Sequence, residues 1–104
     1  MQAVLFAATA DAGDSREFYE SVLGFPYEED TLFAPVFDAG GTQLRVQKVE
    51  TVVNPPDTTL GFAVTDIANT IAEIRTEGVQ FEFYEFMEQD HSGIWTAPDG
   101  TAIA

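Results

Sequence analysis

Residues 14–24 read DSREFYESVLG, and residues 66–78 read DIANTIAEIRTEG. In both, a short apolar run reaches an Asp, a helical pattern follows, and a Gly closes it before a new extended segment begins. In the first stretch Asp14 is placed to cap the helix, with Glu17 three residues on completing a pattern like a capping box. Phe18 with Val22, and Tyr19 with Leu23, form i,i+4 pairs that give this helix an apolar stripe. Gly24 supplies the left-handed position past the helix end, and Pro26 prevents resumption. In the echo, Asp66 caps the helix, Ile67, Ile71 and Ile74 share one face, and Gly78 ends it. The chain reads as one small unit written twice.

Outward from the first helix, residues 3–9 are apolar and β-compatible. Alternation puts Val4, Phe6 and Ala8 on one face and Leu5, Ala7 and Thr9 on the other, and the composition predicts cover on both. Tyr27 to Asp30, Leu32 to Asp38 and Thr42 to Val49 read as three strands, with Ala39-Gly40-Gly41 as the tight turn before the last. In that last strand Leu44 and Val46 face a helix-covered core, while Gln43, Arg45 and Gln47 share the opposite face. Val53-Asn54-Pro55-Pro56-Asp57 breaks both periodicities and reads as a linker. The second round has strands at Leu60 to Thr65 and Val79 to Phe86, a polar loop at Glu88 to Ser92, a short strand at Gly93 to Thr96, a turn at Pro98-Asp99-Gly100 and a last strand from Thr101 to Ala104. The predicted organisation is one α+β domain over residues 1–104, with a first module of about 1–53 and a second of about 59–104.

A chain of 104 residues has room for a modest core, so a ligand site must lie between elements. Eighteen acidic residues against Arg16, Arg45, Lys48 and Arg75 give a formal charge of −14, which argues against nucleic acid and against anionic membranes. The same charge reads as a solvated acidic surface that keeps the chain soluble, or as an attraction for cationic ligands. There is no cysteine, which excludes disulfides, thiolate metal sites and thiol catalysis. The first residues, MQAVLFAATAD, have no basic region and meet Asp11 too soon for a leader peptide, so they read as a strand of a cytoplasmic protein. No phosphate-binding Gly-rich loop, nucleophile elbow or basic stripe is present.

With Asp11, Ser15, Phe18, Tyr19, Leu23 and Gly24 in the first half, and Phe62-Ala63-Val64-Thr65-Asp66-Ile67, Gly78-Val79 and Phe81 in the second, the chain resembles the vicinal oxygen chelate superfamily. That superfamily includes glyoxalases, bleomycin resistance proteins and extradiol dioxygenases. The resemblance implies tandem βαβββ modules, a curved mixed sheet around a cleft, helices outside and a paired homodimer. It also implies, in the metal enzymes, a His, Glu or Gln from each of four strands on a divalent metal. Counted from Asp11 and Asp66, those positions fall here on Val4, on or beside Arg45, and on Leu60. Val and Leu have no lone pairs to offer and Arg is a permanent cation, so the resemblance is to a branch without the metal. Against the family pattern the chain lacks its expected last strand, through truncation or because a partner chain fills the gap. If instead Pro98-Asp99-Gly100 is the final turn, the fourth position falls near Ala104, which offers no ligand either.

The resemblance makes Arg45 the sharpest candidate. It lies on the cleft face with Gln43 and Gln47, in a wall otherwise built from Val4, Phe6, Leu60 and Phe62. A lone cation there suits a carboxylate or a polarised carbonyl of a ligand. The other reading pairs Arg45 with a carboxylate such as that of Glu82, or lets it snorkel to the sheet edge. Trp95, Tyr84 and Tyr27 are aromatics with a polar handle, suited to stacking at a cleft mouth or to core and dimer contacts. His91 is the one histidine. With Glu88 three residues before it and Asp90 beside it, it is either a solvent-exposed loop residue or the centre of a shifted metal or acid–base site. The expected function is metal-free binding of a small molecule, partly apolar or cationic, in a dimeric cleft. A metal-dependent lyase or dioxygenase of the glyoxalase type is the alternative.

Overall fold

Alternating apolar positions in the first half of the chain become a four-stranded mixed sheet. The computed structural model describes all residues, Met1–Ala104, and divides into two compact units, Met1–Phe62 and Ala63–Ala104. The first contains β1 (Val4–Thr9), α1 (Ala12–Arg16) continued by a π-helical segment Glu17–Val22, then β2 (Tyr27–Asp30), β3 (Pro35–Ala39) and β4 (Thr42–Lys48). Sheet order is β1-β4-β3-β2, parallel between β1 and β4 and antiparallel elsewhere. This is the βαβββ unit that the pattern predicts.

The core lies on one face of this sheet. Phe37, Leu44 and Val46 are buried, with Leu5, Ala7, Tyr19, Phe25 and Tyr27 packed against them. Tyr19 reaches it from the π-helical segment, 5.5 Å between its ring centre and that of Phe37, and Tyr27 meets the same ring at 5.8 Å. Full burial of side chains of this size stabilises by about 1.5–3 kcal/mol each. The opposite face is less covered than the composition predicts: Phe6 is 53% exposed and Val4 39%.

Capping of the first helix differs from the sequence expectation. Asp11, not Asp14, is the cap: its Oδ1 accepts from the Asp14 N–H at 3.0 Å, and its backbone is extended at φ −138° and ψ 94°. Thr9 fixes that geometry, donating from Oγ1 to the Asp11 carbonyl at 2.8 Å and accepting from the Asp11 N–H at 3.0 Å and from the Ser15 hydroxyl at 2.6 Å. Asp66 caps the helix of the second unit in the same conformation, φ −139° and ψ 94°, accepting from the Asn69 N–H at 3.0 Å. Beyond α1 the first helix widens, since Leu23 N–H donates to Phe18 O, five residues back, at 2.9 Å.

The third strand begins later than alternation suggests. Thr31 closes a turn on Ala34, accepting from its N–H at 2.9 Å and donating to its carbonyl at 2.8 Å, which leaves Leu32 and Phe33 exposed at the tip. Between β3 and β4, Gly40 and Gly41 take φ of +66° and +96°, the backbone of a two-residue hairpin loop. That loop sets Ala39 opposite Thr42 and hence the register of the pair.

The second unit contains α2 (Ile67–Thr76) and the hairpin β5 (Trp95–Thr96) with β6 (Ala102–Ile103). Ile71 is its buried apolar side chain, at 2% exposure. The strands expected at Leu60 to Thr65 and Val79 to Phe86 form no ladder. Alternation specifies which side chains share a face, whereas a strand also needs a neighbour for its backbone groups. In the second segment Gln89 takes that role: its Oε1 accepts from Tyr84 N–H at 2.8 Å, and its Nε2 donates to the Glu82 and Gly93 carbonyls at 3.0 and 2.8 Å. The chain then turns, with Met87 N–H donating to Tyr84 O. Two further turns rest on carboxylates. Asp90 Oδ1 accepts from Ser92 N–H at 2.8 Å and Ile94 N–H at 3.0 Å, and Asp99 Oδ1 accepts from Thr101 N–H at 2.9 Å. No helix is long and apolar enough to cross a membrane.

The cap assignment predicts that Asp11→Ala lowers stability by about 0.5–2 kcal/mol, whereas Asp14→Ala stays within about 0.5 kcal/mol, measured by urea unfolding. The reverse order of midpoints would return the cap to Asp14. The turn carboxylates predict an acid-side effect. Hydrogen bonds from the Ile94 backbone first, and then from Ser92, hold the Asp90 carboxyl below its ordinary 3.8, and the Thr101 backbone does the same for Asp99. A lowered folded-state pKa gives stability that is present above the unfolded value and lost as pH falls through the folded one. The stability advantage of the native chain over Asp90→Asn is therefore largest above pH 3.8 and shrinks as the pH falls below it. Chemical denaturation across that range measures it.

Candidate functional site

Register on β4 assembles the candidate face. In the parallel pairing Val4 lies opposite Gln43, Phe6 opposite Arg45 and Ala8 opposite Gln47. On the other side of β4, Arg45 lies opposite Val36 and Gln43 opposite Asp38. Paired residues project to the same face, so Phe6, Arg45 and Val36 form one row across three strands, flanked by Val4 and Gln43 on one side and by Ala8 and Gln47 on the other.

Arg45 is the chemical centre of this face. It is half-buried, and its Nη1 donates to Gln43 Oε1 at 3.4 Å, a long contact to a neutral amide. The two ion pairs of the chain are elsewhere: Lys48 with Asp30 at 3.0 Å, and Arg16 with Glu20 at 3.2 Å. Arg16 also covers the Tyr27 ring, its guanidinium carbon 3.7 Å from the ring centre. Arg45 thus has no carboxylate partner, and the pairing with Glu82 considered from sequence is not made. A guanidinium with most of its fork free, beside Phe6 and the fully buried Val36, can take a planar oxyanion or a carbonyl oxygen bidentately.

Val36 escapes a reading of the sequence by alternation, although a signal for it exists. A two-residue Gly40-Gly41 loop pairs 39 with 42, and counting back from there sets Val36 opposite Arg45. Of the residues assigned to the site from sequence, Gln43, Arg45, Gln47 and Phe6 come together. Leu60 and Phe62 do not join them. Leu60 packs against the cluster of Phe37, Leu44 and Val46, on the face of β4 opposite Arg45, and the Phe62 ring lies 5.2 Å from that of Phe25. Both belong to the first unit. Trp95 lies in the second unit, half-buried, paired with Ile103 across β5 and β6 and bridged to Gln89.

A divalent metal does not fit the residues at the positions to which the resemblance would assign its ligands. Val4 and Leu60 carry no lone pair, and Arg45 repels a cation. No group of three or more His, Cys, Asp or Glu side chains is placed to hold a metal anywhere in the chain. Around His91, which is exposed, Asp90 already spends its Oδ1 on two backbone N–H groups, and Glu88 is exposed. That loop is built as a turn.

Comparison with known proteins agrees with the architecture. Among solved structures, an integron cassette protein from the mobile metagenome of the Halifax Harbour sewage outfall superposes with a TM-score of 0.62 at 13% identity, covering 98% of this chain and 95% of that one. A glyoxalase/bleomycin resistance protein/dioxygenase from Alicyclobacillus acidocaldarius gives 0.58 at 14% identity, with 98% and 86% covered. Lactoylglutathione lyase from Agrobacterium tumefaciens gives 0.55 at 15% identity, with 98% and 90% covered. These likenesses are of fold. No curated protein matches the chain. The family model described as Glyoxalase/Bleomycin resistance protein/Dioxygenase superfamily matches residues 2–103, nearly the whole sequence. With its βαβββ first unit and its repeated Asp-capped helix, this chain belongs to that superfamily.

Proposed function

We propose that this chain is a metal-free binding module that holds a small, partly apolar molecule on the face built from Val4, Phe6, Gln43, Arg45 and Gln47. The observation that carries the proposal is the Arg45 guanidinium, half-buried beside apolar side chains and without a carboxylate partner. It selects a ligand with a carboxylate or a polarised carbonyl, and the apolar neighbours take the body of the molecule. The formal charge of −14 favours cationic molecules at long range. At the site itself Arg45 opposes them, so a cationic group on the ligand must lie away from it. The module works in the cytoplasm as a homodimer, without nucleic acid or membrane partners.

Lyase or dioxygenase chemistry of the glyoxalase type is the less favoured reading, because the His91 loop commits its nearest carboxylate to turn geometry.

Thermal-shift measurement against small aromatic and aliphatic carboxylates, each with its amide and amine analogue, tests the binding face. A ligand at a hundred times its Kd stabilises by about 2.7 kcal/mol. The carboxylates are expected to raise Tm, the amines to leave it unchanged, and Arg45→Gln to reduce the shift. A shift that keeps its full size in Arg45→Gln would remove the site from β4. Elemental analysis of the purified protein tests the metal reading, and one equivalent of a divalent metal per chain would overturn it.

A further inference from the structure

Arg75 is the second basic residue without a carboxylate partner, and it sits in the second unit, apart in sequence from everything on β4. It occupies the last turn of α2, donates from Nη2 to the Ser92 carbonyl at 2.8 Å, and holds its guanidinium carbon 5.5 Å from the centre of the Phe81 ring. With Gly78, Val79, Gln80, Phe81 and Phe83 it lines an open-sided depression of about 520 Å³.

These features fit together chemically. The hydrogen bond to Ser92 and the Phe81 ring fix the guanidinium, which still has N–H groups to offer. The walls contributed by Val79, Phe81 and Phe83 are apolar, and Gln80 adds one amide. The volume falls within the range of small-molecule sites, about 300–1,000 Å³. No strand pairs with residues 79–83, and Gly93 packs close to Phe81 and Phe83. A chain of charge −14 disfavours a multiply charged anion such as a phosphate, whereas one carboxylate matches the guanidinium fork and leaves an aromatic body for the apolar walls. We propose that this depression is a binding site for an aromatic monocarboxylic acid, separate from the face around Arg45.

Titration of ¹⁵N-labelled protein with phenylacetate, followed at the backbone amides of residues 78–83 and of Ser92, tests this. Saturable shifts are expected there, with 2-phenylethanol binding roughly tenfold or more weakly because it lacks the charge that strengthens the hydrogen bonds. At these amides Arg75→Gln should remove the preference for phenylacetate, and the same variant should leave any shifts at the amides of β4 in place, which separates this site from the one on β4. Equal binding of the acid and the alcohol would overturn the proposal. So would shifts confined to the amides of β4, shifts absent altogether, or a preference that survives in Arg75→Gln. The comparison of acid with alcohol needs no substitution, so it decides the matter even where Arg75→Gln disturbs the packing on Phe81.

Discussion

Parallel pairing with β1 on one side and antiparallel pairing with β3 on the other satisfies the backbone of β4 along most of its length, and its two-residue period then separates two chemistries. Leu44 and Val46 go to the core, fully removed from water, while Gln43, Arg45 and Gln47 go to the other side. Neither face could exist without the other. A cation stays half-buried among apolar side chains because burial on the opposite face holds the strand in register. A slip of one residue would send Arg45 into the cluster of Phe37 and would expose Leu44.

Much of the first unit is legible in the sequence because its signals are local. The Gly40-Gly41 loop, the stop at Gly24 and the alternation along β4 each act over a few residues, and each appears where the sequence places it. Two departures there share a cause. Asp14 looks like the cap because Glu17 completes a familiar spacing, but Asp11 has Thr9 and Ser15 to fix its backbone, and side-chain networks leave little trace in spacing. Leu32 and Phe33 look like strand because they are apolar, yet the Thr31 hydroxyl captures Ala34 and turns the chain first. Leu60 and Phe62 are harder still. Their placement is settled by packing on residues far away in sequence, which alternation does not report.

The two Asp-capped helices show how a repeated unit diverges. Asp11 and Asp66 share backbone angles within a degree and the same acceptor role, so the start of each helix is preserved. Beyond the caps the two halves part. After α1 a π-helical turn carries Tyr19 onto Phe37, and three strands build a sheet. After α2 the chain passes Gly78 into a segment whose backbone is met by the Gln89 side chain. One glutamine amide supplies one acceptor and shares its donors between two carbonyls, where a neighbouring strand would supply a ladder.

The margins of the sheet are unlike each other. On one side β2 presents Glu28, Glu29 and Asp30, three exposed carboxylates in succession. On the other, β1 runs from Val4 to Thr9 without a charge, and β4 is its one paired neighbour. Strand addition at β2 would stack negative charge against an incoming chain, and nothing comparable guards β1. The sheet is therefore polarised across its width: carboxylates close the border at β2, and the strand at the other border carries no charge of its own.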